Sequence, residues 1–211
     1  MGRSSRRGAP LLALACAAAA LAGCGSGASV AAPIRIGAIF PLSGDTAVLA
    51  TEELQGAQIA VDMVNQQGGV GGRALWLDVR DVSSESAVDA AVQSLRHDGV
   101  DVTLGAYSSE LSIPAAAAAA REGMVYWETG AVADQLTGRG LPGVFRVGAS
   151  GGDLGGTSAA FALSQLAPRL GMAPPALRVY LVTADDDYAR SVASGVRAGL
   201  RDSGASVVGE A

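Results

Sequence analysis

From Ile34 onward the chain alternates short apolar runs with longer amphipathic ones. "IRIGAIF" (34–40) is rich in β-branched residues and predicts a strand, because such side chains suit a pleated surface. Leu54, Ala57, Val61 and Val64 then recur at helical spacing, with Thr51 as the expected N-cap, and "GGVGG" (68–72) stops that helix. "ALWLDVRD" (74–81) predicts a second strand, and Ala87, Val88, Ala91, Val92 and Leu95 form the stripe of a second helix ending near His97-Asp98-Gly99. A strand at "VDVTLG" (100–105) precedes a helix from Ser109 to Glu122. Strands follow at "MVYWE" (124–128) and "VFRV" (144–147), then a helix from Asp153 to Leu170. "LRVYLVTA" (177–184), a helix from Tyr188 to Ser203 and the strand start "ASVVG" (205–209) complete the pattern.

Strands alternating with helices of this length imply right-handed βαβ units and a mostly parallel sheet, an α/β fold. Ligands in such sheets bind beyond the carboxyl ends of the strands, near a switch in strand order. The loops starting at Pro41, Asp81, Ala106, Thr129 and Ala184 are therefore the places to seek function. Glu210-Ala211 follow a strand that has just begun, with no helix after it. A bare sheet face would expose apolar surface, so the sequence is expected to be a truncated product.

The segment before this pattern has a different character. Arg3, Arg6 and Arg7 give a positive start, residues 11–22 are apolar, and Ala22-Gly23 are small. That is the layout of a secretory signal peptide, and the apolar stretch is too short to span a bilayer as a helix. Leu21-Ala22-Gly23-Cys24 resembles the bacterial lipobox, in which the chain is cut before a cysteine that becomes acylated. We therefore expect a signal peptide at 1–23, lipid on Cys24, and a small-residue tether at 24–33 that holds the folded part off the membrane. An ordinary cleaved signal with an incidental cysteine is the alternative. The expected location is the extracytoplasmic face of the cell membrane.

Without 1–23, twelve arginines face twenty acids, a net charge of −8 with His97 neutral. Nucleic-acid partners are disfavoured, since a phosphate backbone needs basic neutralisation. Cys16 leaves with the signal and Cys24 would carry lipid, so no internal disulfide remains. Every basic residue other than His97 is arginine, so no lysine can serve as Schiff base or phosphate anchor.

Four stretches invite chemistry. Ser108 and Ser109 stand between a strand and a helix, where a serine cap and exposed N–H groups favour an anion such as a carboxylate. Simple capping without a ligand is the plainer reading. "GASGG" (148–152) fits G-x-S-x-G, but a nucleophile elbow needs an acid and a histidine after Ser150, and the one histidine, His97, precedes it. "ADDDY" (184–188) lacks the glycine and final glutamate of a calcium loop and reads as a polar helix start. Neither glycine-rich stretch contains G-x-G-x-x-G, and a zinc site has no second histidine or available cysteine, so no cofactor and no metal are expected. Glu128 ends the fourth strand and could either meet a ligand ammonium or pair with an arginine.

Six segments in register resemble the substrate-binding lipoproteins of branched-chain amino acid type ABC transporters. They are "IRIGAIFPLSGDTA", "GAQIAVDMVNQQGGVGG", "LWLDVRD", "TLGAYSSELSIPAA", "GAVADQLT" with "VFRVGAS", and "VYLVTADDDYARS". The resemblance implies the type I periplasmic binding protein fold: two lobes of parallel sheet flanked by helices, closing on a ligand by hinge motion. The first lobe would span 34–149, and an incomplete second lobe would span 150–211. It further implies a small polar ligand, an amino acid or amide, captured between the lobes and delivered to an ABC permease without covalent chemistry. Ser108 and Ser109 would take the ligand carboxylate, Gly130, Ala131 and Val132 its ammonium, and Tyr188 would close over it. Val132 stands where the family often has threonine, and Leu49 replaces a first-loop aromatic. The acid that completes the ammonium site in the family falls beyond residue 211. A sensor lipoprotein of the same fold, signalling to a membrane partner, and a secreted hydrolase using Ser150 are the alternatives.

Overall fold

The computed structural model describes residues 31–211. The expected signal peptide, Cys24 and most of the tether lie outside the described residues. Among the described residues no helix is long and apolar enough to cross a membrane.

Five strands, β1 (Ile34–Phe40), β2 (Leu75–Asp81), β3 (Val102–Gly105), β4 (Val125–Glu128) and β5 (Val144–Arg146), form one sheet in the order β2-β1-β3-β4-β5. All neighbours are parallel. Successive side chains of a strand point to opposite faces, and β1 uses both. Ala38 and Phe40 pack with Ala50 and Leu54 of α1 (Ala47–Gln66), while Ile39 joins Val88, Val92 and Leu95 of α2 (Glu85–His97) on the other side. The run of alanines in α3 (Ser109–Arg121) presents almost no side-chain bulk, and Ala115, Ala116, Ala118 and Ala119 are buried in that second cluster. Here the order of strands reverses: β1 is followed outward by β2 on one side and by β3 on the other. The carboxyl ends of β1, β3 and β4 therefore meet at one edge of the sheet, as expected for a ligand site.

Helix boundaries depart from the sequence reading in two informative places. The first helix starts at Ala47 after Thr46, and Thr51 lies inside its second turn. Nothing between residues 47 and 51 breaks a helix, so it propagates back to the turn at Gly44, whose carbonyl accepts from the Ala47 N–H. The helix expected at Asp153 starts as α5 (Gly151–Phe161), runs through a π-helical turn (Ala162–Leu166), and ends as α6 (Ala167–Arg169). That wider turn directly precedes Pro168, which has no N–H to give to a regular ladder. A four-residue helix, α4 (Gln135–Gly138), was not foreseen.

A second parallel sheet pairs β6 (Arg178–Leu181) with β7 (Ser206–Glu210), joined by α7 (Asp187–Leu200). α5 and α7 touch backbone to backbone. A Cβ at Gly155 would collide with the Val192 carbonyl and the Val196 nitrogen, and one at Gly195 with the Gly152 carbonyl. The glycine-rich stretch thus lets two helices approach more closely than any side chain would permit.

Gly155→Ala should destabilise the protein by about 1–3 kcal/mol through overpacking. Gly156→Ala, one position on, has nothing within 4 Å of its new methyl and should stabilise by roughly 0.5–1 kcal/mol. Urea titrations of both variants check this; equal effects would refute the close seam.

Candidate functional site

The loops at the edge of the first sheet and the start of α7 enclose an open cavity of about 360 Å³ lined by Tyr107, Ser108, Ser109, Glu110, Gly130, Asp186, Asp187 and Tyr188. Each wall follows from local sequence. Tyr107 adopts φ +72, a left-handed conformation that costs energy for a bulky residue and is found preferentially at ligand-binding positions. Ser108, extended at φ −88 and ψ 147, caps α3 by accepting from the Leu111 N–H at 3.3 Å. The N–H groups of Ser109 and Glu110 then meet no protein acceptor among the described residues, which leaves two donors at a positive helix end facing the cavity. Ser109 is buried, and its hydroxyl oxygen accepts from the Ala133 N–H at 3.2 Å, so its proton remains available to a bound anion.

On the opposite wall Asp186 caps α7 by accepting from the Ala189 N–H at 2.7 Å, and Asp187 accepts from Arg190 at 2.9 Å and from Gln135 at 2.7 Å. The acidic run of this loop is therefore a capped and ion-paired helix start. Tyr188, half exposed, stands beside it and lines the cavity.

The third wall is held by Glu128. Its side chain is fully buried and does not line the cavity, and among the described residues it forms no ion pair with an arginine. Instead, Oε1 accepts from the N–H groups of Thr129, Gly130 and Ala131 at 3.0, 2.8 and 2.7 Å, and Oε2 accepts from the Tyr126 hydroxyl at 2.9 Å. Both readings offered by the sequence are thus replaced by a third. Burial raises the Glu128 carboxyl above its ordinary value of 4.5, opposed by the nearby Ser112 hydroxyl and by these N–H donors. In a trans peptide the carbonyl points opposite to the following N–H. With the Gly130 and Ala131 N–H groups turned inward, the Thr129 and Gly130 carbonyls are turned outward, and no protein donor reaches them among the described residues.

Of the three residues expected to hold an ammonium, only Gly130 lines the cavity. Ala131 is buried, and the Val132 carbonyl is occupied by the Gly151 N–H at 2.7 Å and by Arg146 at 3.0 Å. The departure from the expected set has a physical source: the chain turns inward after Gly130 to satisfy Glu128. Glu53, which sequence reasoning passed over as one polar residue of a helix, accepts a hydrogen bond from the Thr129 hydroxyl and lies against Gly130.

Ser150 is no nucleophile elbow. It caps α5 in a reciprocal box, its oxygen accepting from the Asp153 N–H at 3.0 Å while Asp153 accepts from the Ser150 N–H at 3.0 Å. Among the described residues no group of three His, Cys, Asp or Glu side chains is placed to hold a metal ion.

The sequence profile of the periplasmic binding proteins matches residues 33–211. The chain belongs to this family. It is 33% identical over 178 residues to a Leu/Ile/Val-binding protein homolog 8 of Brucella abortus, covering 84% of this chain and 44% of that protein. A Leu/Ile/Val-binding protein homolog 7 of Brucella melitensis is also 33% identical, over 192 residues, covering 90% and 47%. The chain thus spans a little under half the length of these relatives. Among solved structures, an ABC transporter substrate-binding protein of Desulfitobacterium hafniense in complex with Leu superposes with a TM-score of 0.69 at 26% identity, covering 84% of this chain and 50% of that one. The branched-chain amino acid transporter substrate-binding protein LivJ of Streptococcus pneumoniae, in complex with isoleucine, gives 0.70 at 25% identity, covering 84% and 49%. The α/β fold with parallel sheets flanked by helices is the fold of these periplasmic binding proteins.

Glu128→Ala would strand three N–H groups and a phenol, so it should destabilise the protein by at least about 2 kcal/mol. Because the folded-state pKa of Glu128 is raised, the neutral form is favoured by folding, and this contribution is full below 4.5 and lost as pH rises through the higher folded value. The stability of the native protein relative to Glu128→Gln should accordingly fall across that window and level off above it. Chemical denaturation at a series of pH values tests the sign; a difference that rises with pH would contradict it.

Proposed function

We propose that this protein is the extracytoplasmic solute-binding component of an ABC transporter, capturing a small polar ligand, an amino acid or a related amide, and handing it to a membrane permease. The observation that carries the reading is the cavity between the start of α3, below the first sheet's edge, and the start of α7, beside the second sheet. Its volume of about 360 Å³ suits a small solute. Residues 34–149 and 150–211 act as the first lobe and the beginning of the second, hinged near the Gly148–Gly152 crossing. The relatives named for Leu, Ile and Val, and the solved structures bound to Leu and isoleucine, support an aliphatic amino acid as the first ligand to try.

In this reading the Ser108–Glu110 helix start receives the ligand carboxylate through the Ser109 hydroxyl and two backbone N–H groups. The outward carbonyls of Thr129 and Gly130 accept from the ligand ammonium. Ala131 and Val132 support that loop from behind, and Tyr188 packs over the ligand as the lobes close. The protein needs no cofactor for this, and its chemistry is binding alone. Cys24 carries the lipid that anchors the exported protein at the membrane, with 24–33 as the tether.

Calorimetric titration of L-leucine, L-isoleucine and L-valine into the full-length gene product tests the reading, followed by the other amino acids, amides and simple carboxylates; binding of no solute in any of these classes would refute it. Ser109→Ala, which removes one donor to the carboxylate, should weaken binding about tenfold, equivalent to one hydrogen bond of ~1.4 kcal/mol. Release of membrane-bound protein by Cys24→Ser tests the anchor.

A further inference from the structure

Glu53 sits in the second turn of α1, half-buried, at the back of the loop that lines the cavity. Its Oε1 accepts from the Thr129 hydroxyl. Its Oε2 lies over Gly130: a Cβ added there would stand 2.5 Å from that oxygen and 3.1 Å from the carboxyl carbon. Gly130, which lines the cavity, therefore lies against this carboxylate and has no side chain to intervene. Other partly buried acids of the chain are matched. Asp78 is flanked by Arg35 and Arg80, and Glu128 by its three N–H groups. Glu53 has no cationic partner among the described residues, although burial pushes its carboxyl above the ordinary value.

A half-buried, unneutralised carboxylate is costly unless a positive charge arrives. Among the described residues the cavity offers no protein cation: Glu110, Asp186 and Asp187 line it, and no arginine does. A cationic group on the ligand would meet that charge. We propose that Glu53 is a specificity-determining residue of the ligand site, supplying from the first lobe the negative charge that selects solutes bearing an ammonium group over neutral or purely anionic ones. The inference rests on the solute-binding reading above. Thr129 fixes the carboxylate, and the bare backbone of Gly130 lets its field reach the ammonium that the Thr129 and Gly130 carbonyls bind. The hydroxyl missing at Val132 is made up by charge from a different element.

The test pairs an amino acid with its counterpart lacking only the ammonium. A thermal-shift panel of the proteinogenic amino acids on the full-length gene product selects the tightest binder. That compound and its deaminated acid (4-methylpentanoate, if the binder is leucine) are then titrated into native protein and Glu53→Gln. The expected result is at least a tenfold loss of amino-acid affinity in Glu53→Gln, with affinity for the deaminated acid unchanged or improved and the melting temperature close to native. Glu53→Asp, which keeps the charge, should recover part of the preference. Equal weakening of both ligands, or no change in either, overturns the role of Glu53 and leaves the solute-binding reading standing. So does a native protein that takes only amides or carboxylates without an amine. A native protein that binds no solute of any of these classes overturns both.

Discussion

A carboxylate with no access to water must be met by donors, and at the end of β4 the nearest donors belong to the main chain. Glu128 draws three consecutive N–H groups and the Tyr126 hydroxyl onto itself. Much of the site follows from that requirement. Residues 129–131 wrap around the carboxyl group, the Thr129 and Gly130 carbonyls face the opposite way, Ala131 goes under, and Gly130 is left at the surface of the cavity. The next residues run on to meet Ser109 through the Ala133 N–H, joining this loop to the start of α3. A polar network buried in a low dielectric is stiff when every member is satisfied, so two walls of the cleft share one rigid foundation.

The fold was legible to a large extent because its strands and helices carry strong and different periodicities. "IRIGAIF" and "LWLDVRD" both read as strands, and the structure pairs them, β1 buried along its carboxyl half and β2 partly exposed at the sheet's edge; the stripe from Val88 to Leu95 lies on the core side of α2. What escaped was set by a few atoms in place of a period. Thr46 rather than Thr51 precedes α1 because helix propagation is decided by where the previous turn ends. The π turn before Pro168 depends on how one missing N–H is absorbed.

The site was legible at the level of loops, less so at the level of residues. Ser108 and Ser109 could be picked out because a serine pair between a strand and a helix marks a helix start, and Ser108 does cap α3, which by itself would not have named a ligand site. Tyr188 followed from the resemblance. Glu128 could not be read, since a glutamate ending a strand looks solvent-facing and its partners are backbone groups, which every sequence supplies. Glu53 was hidden among the polar residues of α1, and only the approach of a loop 76 residues away gives it a role. Ser150 had a signature in view: with Asp153 three residues later it spells a capping box, which competes with the G-x-S-x-G pattern for the same serine.

The glycine seam between α5 and α7 has a mechanical meaning. α5 begins at Gly151, within the stretch 148–152 that leads from the first sheet toward the second, and α7 carries Asp186, Asp187 and Tyr188 at its start. Side chains between packed helices can repack and absorb small displacements; bare backbones in contact cannot. Under the two-lobe reading proposed above, a rotation of the chain near Gly151 would be passed to α7 without slack, and the pair would work as a lever with Tyr188 at its far end.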